Sequence, residues 1–309
     1  MKVRAILNPR AGVTARRALA ALERGHSAWD SIELRETTHP GHACDLAREA
    51  AEAGADVVLA VGGDGTANEA AQGLLHTRTA LGLVPVGSGN GLARALGIPL
   101  SPARAVETLA DAVVRRMDVG LVTGRPFLNV AGAGLDAVVG ADFHAHGRRG
   151  GRRGLMTYVR LTLRHIVSYR PGAWTLKAGA SGFEGRAWIV AFVNGRQYGG
   201  GAILTPRARL DDGLLDVLVF EDASLFEVLL QAPRLFSGTI ESYRHYRHVQ
   251  TTSATLTAAA AFLHHRDGEP EEASARLDVT VDPCALRILV PRRLAGDPQG
   301  PFAVARSDR

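Results

Sequence analysis

Residues 56–69 read DVVLAVGGDGTANE, and the fold of the first half of the chain turns on them. Asp56 to Val61 is an apolar run of strand length, Gly62-Gly63-Asp64-Gly65-Thr66 is a glycine cluster, and Thr66 to Leu75 has the alanine-rich texture of a helix. The cluster therefore occupies the turn between the carboxyl end of a buried strand and a helix N-terminus, where open α/β sheets bind ligands. Glycines admit positive φ and leave no Cβ between backbone N–H groups and a ligand, while the helix end adds partial positive charge. That combination suits phosphate. Thr66 and Glu69 also have capping-box spacing, which predicts a helix start at Thr66.

Working outward, the same unit recurs. Val3 to Leu7, Ser31 to Thr37 and Leu81 to Val84 read as strands, and Ala15 to Glu23, His42 to Ala53 and Pro102 to Val113 as helices. This βαβα order predicts a parallel sheet covered by helices. Asn8-Pro9-Arg10-Ala11-Gly12 follows the first strand, and PVGSGNGLAR (85–94) follows the strand at Leu81 to Val84. The latter fails the dinucleotide fingerprint GxGxxG because position 92 is leucine, and Glu107 downstream does not restore it. Three strand-to-helix loops thus converge on one sheet edge. From about Met117 the texture becomes strand-like: Phe127 to Val130, Trp174 to Ala178, Ala187 to Val193, Leu214 to Phe220, Tyr246 to Thr251, Ala275 to Val281 and Leu286 to Val290. A β-rich second domain is expected. Between the two lies GRRGGRRG (147–154), a solvated connector before a helix near Tyr158, or a contact for anionic headgroups or phosphates. No amphipathic helix with a basic face stands out, and the polar tail after Pro291 reads as frayed.

The chain has 309 residues, 46% of them hydrophobic and 22% charged, enough apolar material for one large domain or two modest ones. Its net charge of +5 is carried almost wholly by arginine, since Lys2 and Lys177 are the only lysines. A P-loop requires lysine directly after its last glycine and a protein kinase requires one on its third strand, so both nucleotide sites are excluded. No apolar run reaches about 18 residues, which together with the N-terminus predicts a cytoplasmic protein with at most peripheral contact at the inner face of a membrane. Cys44 and Cys284 lack ligand spacing and are expected to be buried reduced thiols. The pairs His144/His146, His245/His248 and His264/His265 lack a third metal ligand at a standard spacing.

Five motifs in order give a resemblance that spans nearly the whole chain. Asn8 to Gly12 looks like the NPxxG loop of the diacylglycerol kinase catalytic family, which includes sphingoid-base kinases and bacterial lipid kinases. Gly62 to Thr66 resembles its GGDGT signature and Pro85 to Arg94 its PxGTxNDxAR segment. PRARLDDGLLD (206–216) resembles PxAxxDDGxLD, and Asp267-Gly268-Glu269 the family's DGE. Ser88 stands for the usual threonine and Gly91 for the usual aspartate, and the GSGN form is similar to that of sphingoid-base kinases.

The resemblance implies α/β plus β: an N-terminal α/β nucleotide-binding domain (1–122, NAD kinase/diacylglycerol kinase-like), then a C-terminal β-sandwich (123–290) with the lipid site, and a last segment (291–309) returning to the first domain. It implies ATP across Asn8, Pro9, Arg10, Ala11, Gly12, Thr37, the turn Gly62, Gly63, Asp64, Gly65, Thr66, Ala67 and Asn68, and Gly87, Ser88 and Asn90. Magnesium is implied at Asp212 with the backbone oxygens of Arg209 and Leu214, and Glu269 as the base. The residues alone leave Asp64, Asp267 and Glu269 as candidates for the carboxylate that an alcohol acceptor needs. Asp267 and Glu269 flank a glycine, where repulsion between them could tune one. Asp211, Asp212 and Asp216 read as an acidic cluster for a hard cation, or simply as an Asp-Gly turn into a strand. The expected activity is transfer of the ATP γ-phosphate to a hydroxyl of diacylglycerol or a related lipid met at a membrane surface, with no nucleic-acid partner. A sphingoid-base kinase, an NAD kinase-like enzyme with a soluble substrate, and a catalytically idle regulator are the alternatives.

Overall fold

The computed structural model describes residues 1–9, 13–24, 29–151, 154–198, 201–297 and 300–302. Arg10, Ala11, Gly12, Arg152 and Arg153 lie outside the described residues. The chain divides into two compact units: residues 1–119, 209–212 and 283–309 form unit 1, and residues 120–208 and 213–282 form unit 2.

Unit 1 is the α/β part. It runs β1 (Lys2–Leu7), α1 (Val13–Arg24), β2 (Ser31–Glu36), α2 (His42–Glu52), β3 (Val57–Gly62), α3 (Asp64–Leu74), β4 (Ala80–Pro85), α4 (Gly91–Ala95), α5 (Pro102–Ala110) and the first part of β5 (Val113–Val122). β1 lies between β2 and β3, β4 flanks β3, and Ile288 of the last strand lies parallel to Leu81 of β4; all these pairings are parallel. Every residue of β3 and β4 is buried. This is why both read as unbroken apolar runs rather than alternating ones: helices cover both faces of a parallel sheet. Because the strands run one way, all their outgoing loops open on the same carboxyl edge.

Unit 2 is the β part, and the sequence continues through β6 (Arg125–Phe127), β7 (Val130–Gly134), α6 (Leu135–Arg148), α7 (Leu155–Ser168), β8 (Gly172–Ala178), β9 (Ser181–Val193), β10 (Gln197–Tyr198), β11 (Ala202–Ile203), β12 (Leu215–Glu221), α8 (Leu225–Ser237), β13 (Tyr246–Thr251), β14 (Ser253–Phe262), β15 (His264–Arg266), β16 (Glu269–Pro270) and β17 (Ser274–Val290), with α9 (Arg292–Ala295) after it in unit 1. Its strand pairings are antiparallel. The long strand β9 meets β8 through residues 181–187 and β7 through residues 189–193, and β12 pairs along 187–193. The interior is a cluster built on Phe127, Trp174, Leu176, Phe192, Val217 and Leu256. A second cluster around Trp188 is covered by α6, α7 and α8.

Several expectations are corrected. α3 begins at Asp64, not Thr66, and no capping box forms: Thr66 Oγ1 accepts from Asn8 Nδ2 (3.2 Å) and Glu69 accepts from the Ala43 N–H (3.3 Å), so both side chains serve neighbouring loops. The two strands expected at Ala275 to Val281 and Leu286 to Val290 are one, β17. Asp282-Pro283 resembles a break, yet the chain continues through a left-handed Cys284 (φ 55°) whose N–H donates to Asp118 Oδ1 at 2.7 Å. Cys284 is exposed, not buried. The tail is tied down as far as it is described: Phe302 is buried, the Arg115 guanidinium lies 5.4 Å from its ring centre, and the Leu210 N–H donates to Pro301 O at 2.8 Å. α6 and α8 were not expected. α7 is an amphipathic helix with basic residues, contrary to the sequence reading.

Candidate active site

In unit 1 the glycine loops after β3 and β4 touch. A Cβ on Gly87 would lie 2.6 Å from Gly63 Cα, and one on Gly89 would lie 2.7 Å from Asp64 Oδ2. The Val86 N–H donates to Gly62 O at 3.0 Å, and Asn90 closes the second loop on itself, accepting from the Gly87 N–H (3.1 Å) and donating to Gly87 O (2.7 Å). Asn90 adopts a left-handed conformation (φ 52°), tolerable for asparagine. Arg94 Nε donates to Gly89 O at 3.0 Å, bracing the loop from α4. The loop after β1 joins them: the Asn8 N–H donates to Val61 O at 3.0 Å and its side-chain amide to Thr66. The Thr37 N–H donates to Leu7 O at 2.9 Å, setting Thr37 beside the end of β1.

The result is a cradle of backbone at one end of α3, with the acidic Asp64 as the first helical residue and Gly87 and Ser88 exposed. Gly65, Ala67 and Asn68 lie within the first turns of α3, and Pro9 follows Asn8. A polyphosphate fits this geometry, because the glycine pair lets the two loops approach backbone to backbone at the start of α3, where the helix end favours negative charge.

In unit 2, Asp267 and Gly268 are consecutive left-handed residues (φ 49° and 84°) joining β15 to β16, with Arg266 opposite Glu269. That is the two-residue hairpin turn for which Asp-Gly is the characteristic sequence. The Asp267 carboxylate accepts three backbone hydrogen bonds, from Leu128 (2.7 Å), Asn129 (2.8 Å) and Val130 (3.0 Å). The Gly268 N–H donates to His265 Nδ1 at 3.3 Å, so the His265 proton sits on Nε2, 3.0 Å from Asp136 Oδ2; this pair is almost fully buried.

Those three donors give Asp267 a part in holding the backbone that leads into β7. Glu269 is different. Its side chain is 47% exposed, and its Oε2 lies 2.8 Å from His144 Nδ1 on α6. His144 was dismissed with the other histidine pairs. Only α6 brings it to Glu269, and no local spacing signals that. Asn129, 5% exposed with Oδ1 lacking a hydrogen-bond partner, is another polar residue beside the Asp267 turn that sequence reasoning missed.

The supposed acidic cluster disperses. Asp211 pairs with Arg115 at 3.1 Å within unit 1, and Asp216, buried on β12, pairs with His248 at 2.5 Å within unit 2. Among the described residues no group of three His, Cys, Asp or Glu side chains could hold a metal ion. Of the expected magnesium set, Arg209 and Asp212 belong to unit 1 and Leu214 to unit 2. One carboxylate with two backbone oxygens is an all-oxygen donor set, the kind a hard divalent cation takes.

Comparison with known proteins finds two family models, one after the other along the chain. The diacylglycerol kinase catalytic domain matches residues 2–122, and the YegS C-terminal NAD kinase beta sandwich-like domain matches residues 129–290. The "Probable lipid kinase YegS-like" of Pseudomonas aeruginosa (strain UCBPP-PA14) is 34% identical over 284 residues, covering 90% of each chain. The "Diacylglycerol kinase" of Bacillus subtilis (strain 168) is 29% identical over 273 residues, 87% of this chain and 89% of its own. A crystal structure of a diacylglycerol kinase from Bacillus anthracis str. Sterne shares the fold, with a TM-score of 0.74 over 94% of this chain and 97% of its own at 22% identity. With both halves matched in order and a relative aligned over nine-tenths of its length, the chain belongs to the diacylglycerol kinase catalytic-domain family of lipid kinases.

Proposed function

We propose that this kinase transfers the γ-phosphate of ATP, with magnesium, to a hydroxyl of diacylglycerol or a closely related lipid. The observation that carries the reading is the close approach of Gly63 and Gly87 at the start of α3, with Asp64 beside it. Phosphoryl transfer asks mainly for positioning and charge neutralisation, which backbone N–H groups supply without lysine. The loops holding Asn8, Thr37, Gly62 to Asn68 and Gly87 to Asn90 would hold the nucleotide, and Arg209, Asp212 and Leu214 a structural cation. Bound magnesium supplies charge neutralisation on the phosphate oxygens.

Glu269 accepts the proton of the lipid hydroxyl. Its exposure leaves it open to an acceptor, and the His144 imidazole stands 2.8 Å from its carboxylate. Asp267, through its three backbone bonds, holds the turn from which Glu269 projects. The names of the relatives support a lipid acceptor.

The experiment is transfer of radiolabel from γ-labelled ATP over diacylglycerol, phosphatidylglycerol, sphingosine, undecaprenol and NAD. Label in the organic phase with diacylglycerol supports the reading. Label on sphingosine alone makes the chain a sphingoid-base kinase, aqueous label on NAD makes it a kinase of a soluble substrate, and no transfer makes it a regulator.

A further inference from the structure

Thirteen large apolar side chains are notably exposed among the described residues, and eight of them sit on α7 and α8. On α7 these are Met156, Val159, Leu163 and Val167, exposed between 38% and 79%. Their spacing of three, four and four residues places them in one stripe along the helix. The opposite face of α7 is spent on the core: Tyr158, Leu161 and Ile166 pack with Trp188. α8 does the same. Leu225 and Val228 face that same cluster, while Phe226, Leu229, Leu230 and Phe236 are exposed between 42% and 71%, and no residue of the helix is buried. A helix anchored by one apolar face and apolar on the other is built to bury both.

Charge selects the occupant. α7 has no acidic residue, and Arg160 and Arg164 lie exposed beside its apolar stripe, with Arg170 exposed just beyond its end. α8 contains one acid, Glu227, which is engaged by Ser224 in a capping box and by Arg244. A symmetric contact between two copies would set the arginines of one α7 against helices whose one acid, Glu227, is already paired. Anionic headgroups above a hydrocarbon layer satisfy both features: the arginines pair with phosphates and the stripe enters the acyl boundary.

We propose that the outer faces of α7 and α8 dock this protein on an anionic phospholipid bilayer. The proposal rests on the lipid-kinase reading for its purpose, since the acceptor would be met at such a surface, while the binding itself needs neither nucleotide nor turnover.

The test is co-sedimentation of the full chain, without ATP, with vesicles of phosphatidylcholine alone and of equimolar phosphatidylcholine and phosphatidylglycerol. The wild type should bind the mixed vesicles and leave the neutral ones. The double variant Arg160→Gln/Arg164→Gln should bind the mixed vesicles roughly 25-fold more weakly, about fivefold for each arginine. Leu163→Ser/Val167→Ser should also lose binding, with helicity and melting unchanged because both side chains are exposed. No wild-type binding, or binding that neither double variant weakens, overturns the proposal. So does a wild-type dimer in sedimentation equilibrium that Leu163→Ser/Val167→Ser splits, which would give the face to a second copy. Activity on detergent-dispersed diacylglycerol separates the two ideas: vesicle binding without any transfer sinks the lipid-kinase reading and leaves the surface, and transfer without vesicle binding does the reverse.

Discussion

Asp267 and Glu269, two residues apart, do unlike jobs, and the difference lies in where each carboxylate points. Three backbone donors converge on Asp267. Replacing it with alanine strands those N–H groups at the entry to β7 and also removes a residue suited to φ 49°. We expect Asp267→Ala to lower stability by about 3 kcal/mol, measured by urea unfolding, the size of leaving buried donors unpaired. Activity falls with it because the turn loosens. Glu269, half exposed beside His144, can be changed without that loss. Sequence proximity suggested a repelling pair of candidates; only the path of β7 past the turn separates them, and residues 128–130 carry no motif that announces it.

At the scale of elements, the β3–α3 and β4–α4 units were readable because each property has a local cause. Buried parallel strands must be continuously apolar, and a strand-to-helix turn that grips phosphate must be glycine-rich. The contact between the two glycine loops makes a sharp prediction. Gly87→Ala would drive a Cβ into backbone at Gly63, so the loops must part. Nucleotide affinity by calorimetry should fall at least about tenfold, as expected when a binding geometry is displaced by an ångström.

Elements without a local cause went unread. α8 carries Pro233 in its interior, which argues against a helix there, and α6, interrupted by glycine and histidine, has only a weak helical period. β17 hides behind Asp282-Pro283, which elsewhere marks a turn.

β15 adds a pH dependence. Burial holds the His264 imidazole below its ordinary range, aided by the neighbouring His265 and Arg266 and opposed by Glu271. A group with lowered affinity for protons when folded contributes stability that is full above its unfolded value, about 6.5, and is lost as pH falls below it. The melting temperature should therefore drop between about pH 7.5 and about pH 5.5, and His264→Gln should narrow the drop.

For the whole molecule, the order of an α/β unit before a β unit followed from texture alone, whereas the chain's partition did not. Residues 209–212 belong to unit 1 although they lie inside the span of unit 2, and the return to unit 1 begins at Pro283, within β17. Both facts depend on long-range pairing, such as the Arg115–Asp211 ion pair and the hydrogen bond from Cys284 to Asp118, which no window of sequence contains. No described helix is long and apolar enough to cross a membrane.

The central claim is that phosphate gripped by the glycine loops passes to a lipid hydroxyl whose proton Glu269 takes. Its most direct test is the turnover of Glu269→Gln on γ-labelled ATP and diacylglycerol beside the wild type. The account predicts labelled lipid from the wild type and a loss of kcat of at least about 100-fold in the variant, with nucleotide affinity and melting temperature unchanged. Wild-type turnover in the variant would contradict it.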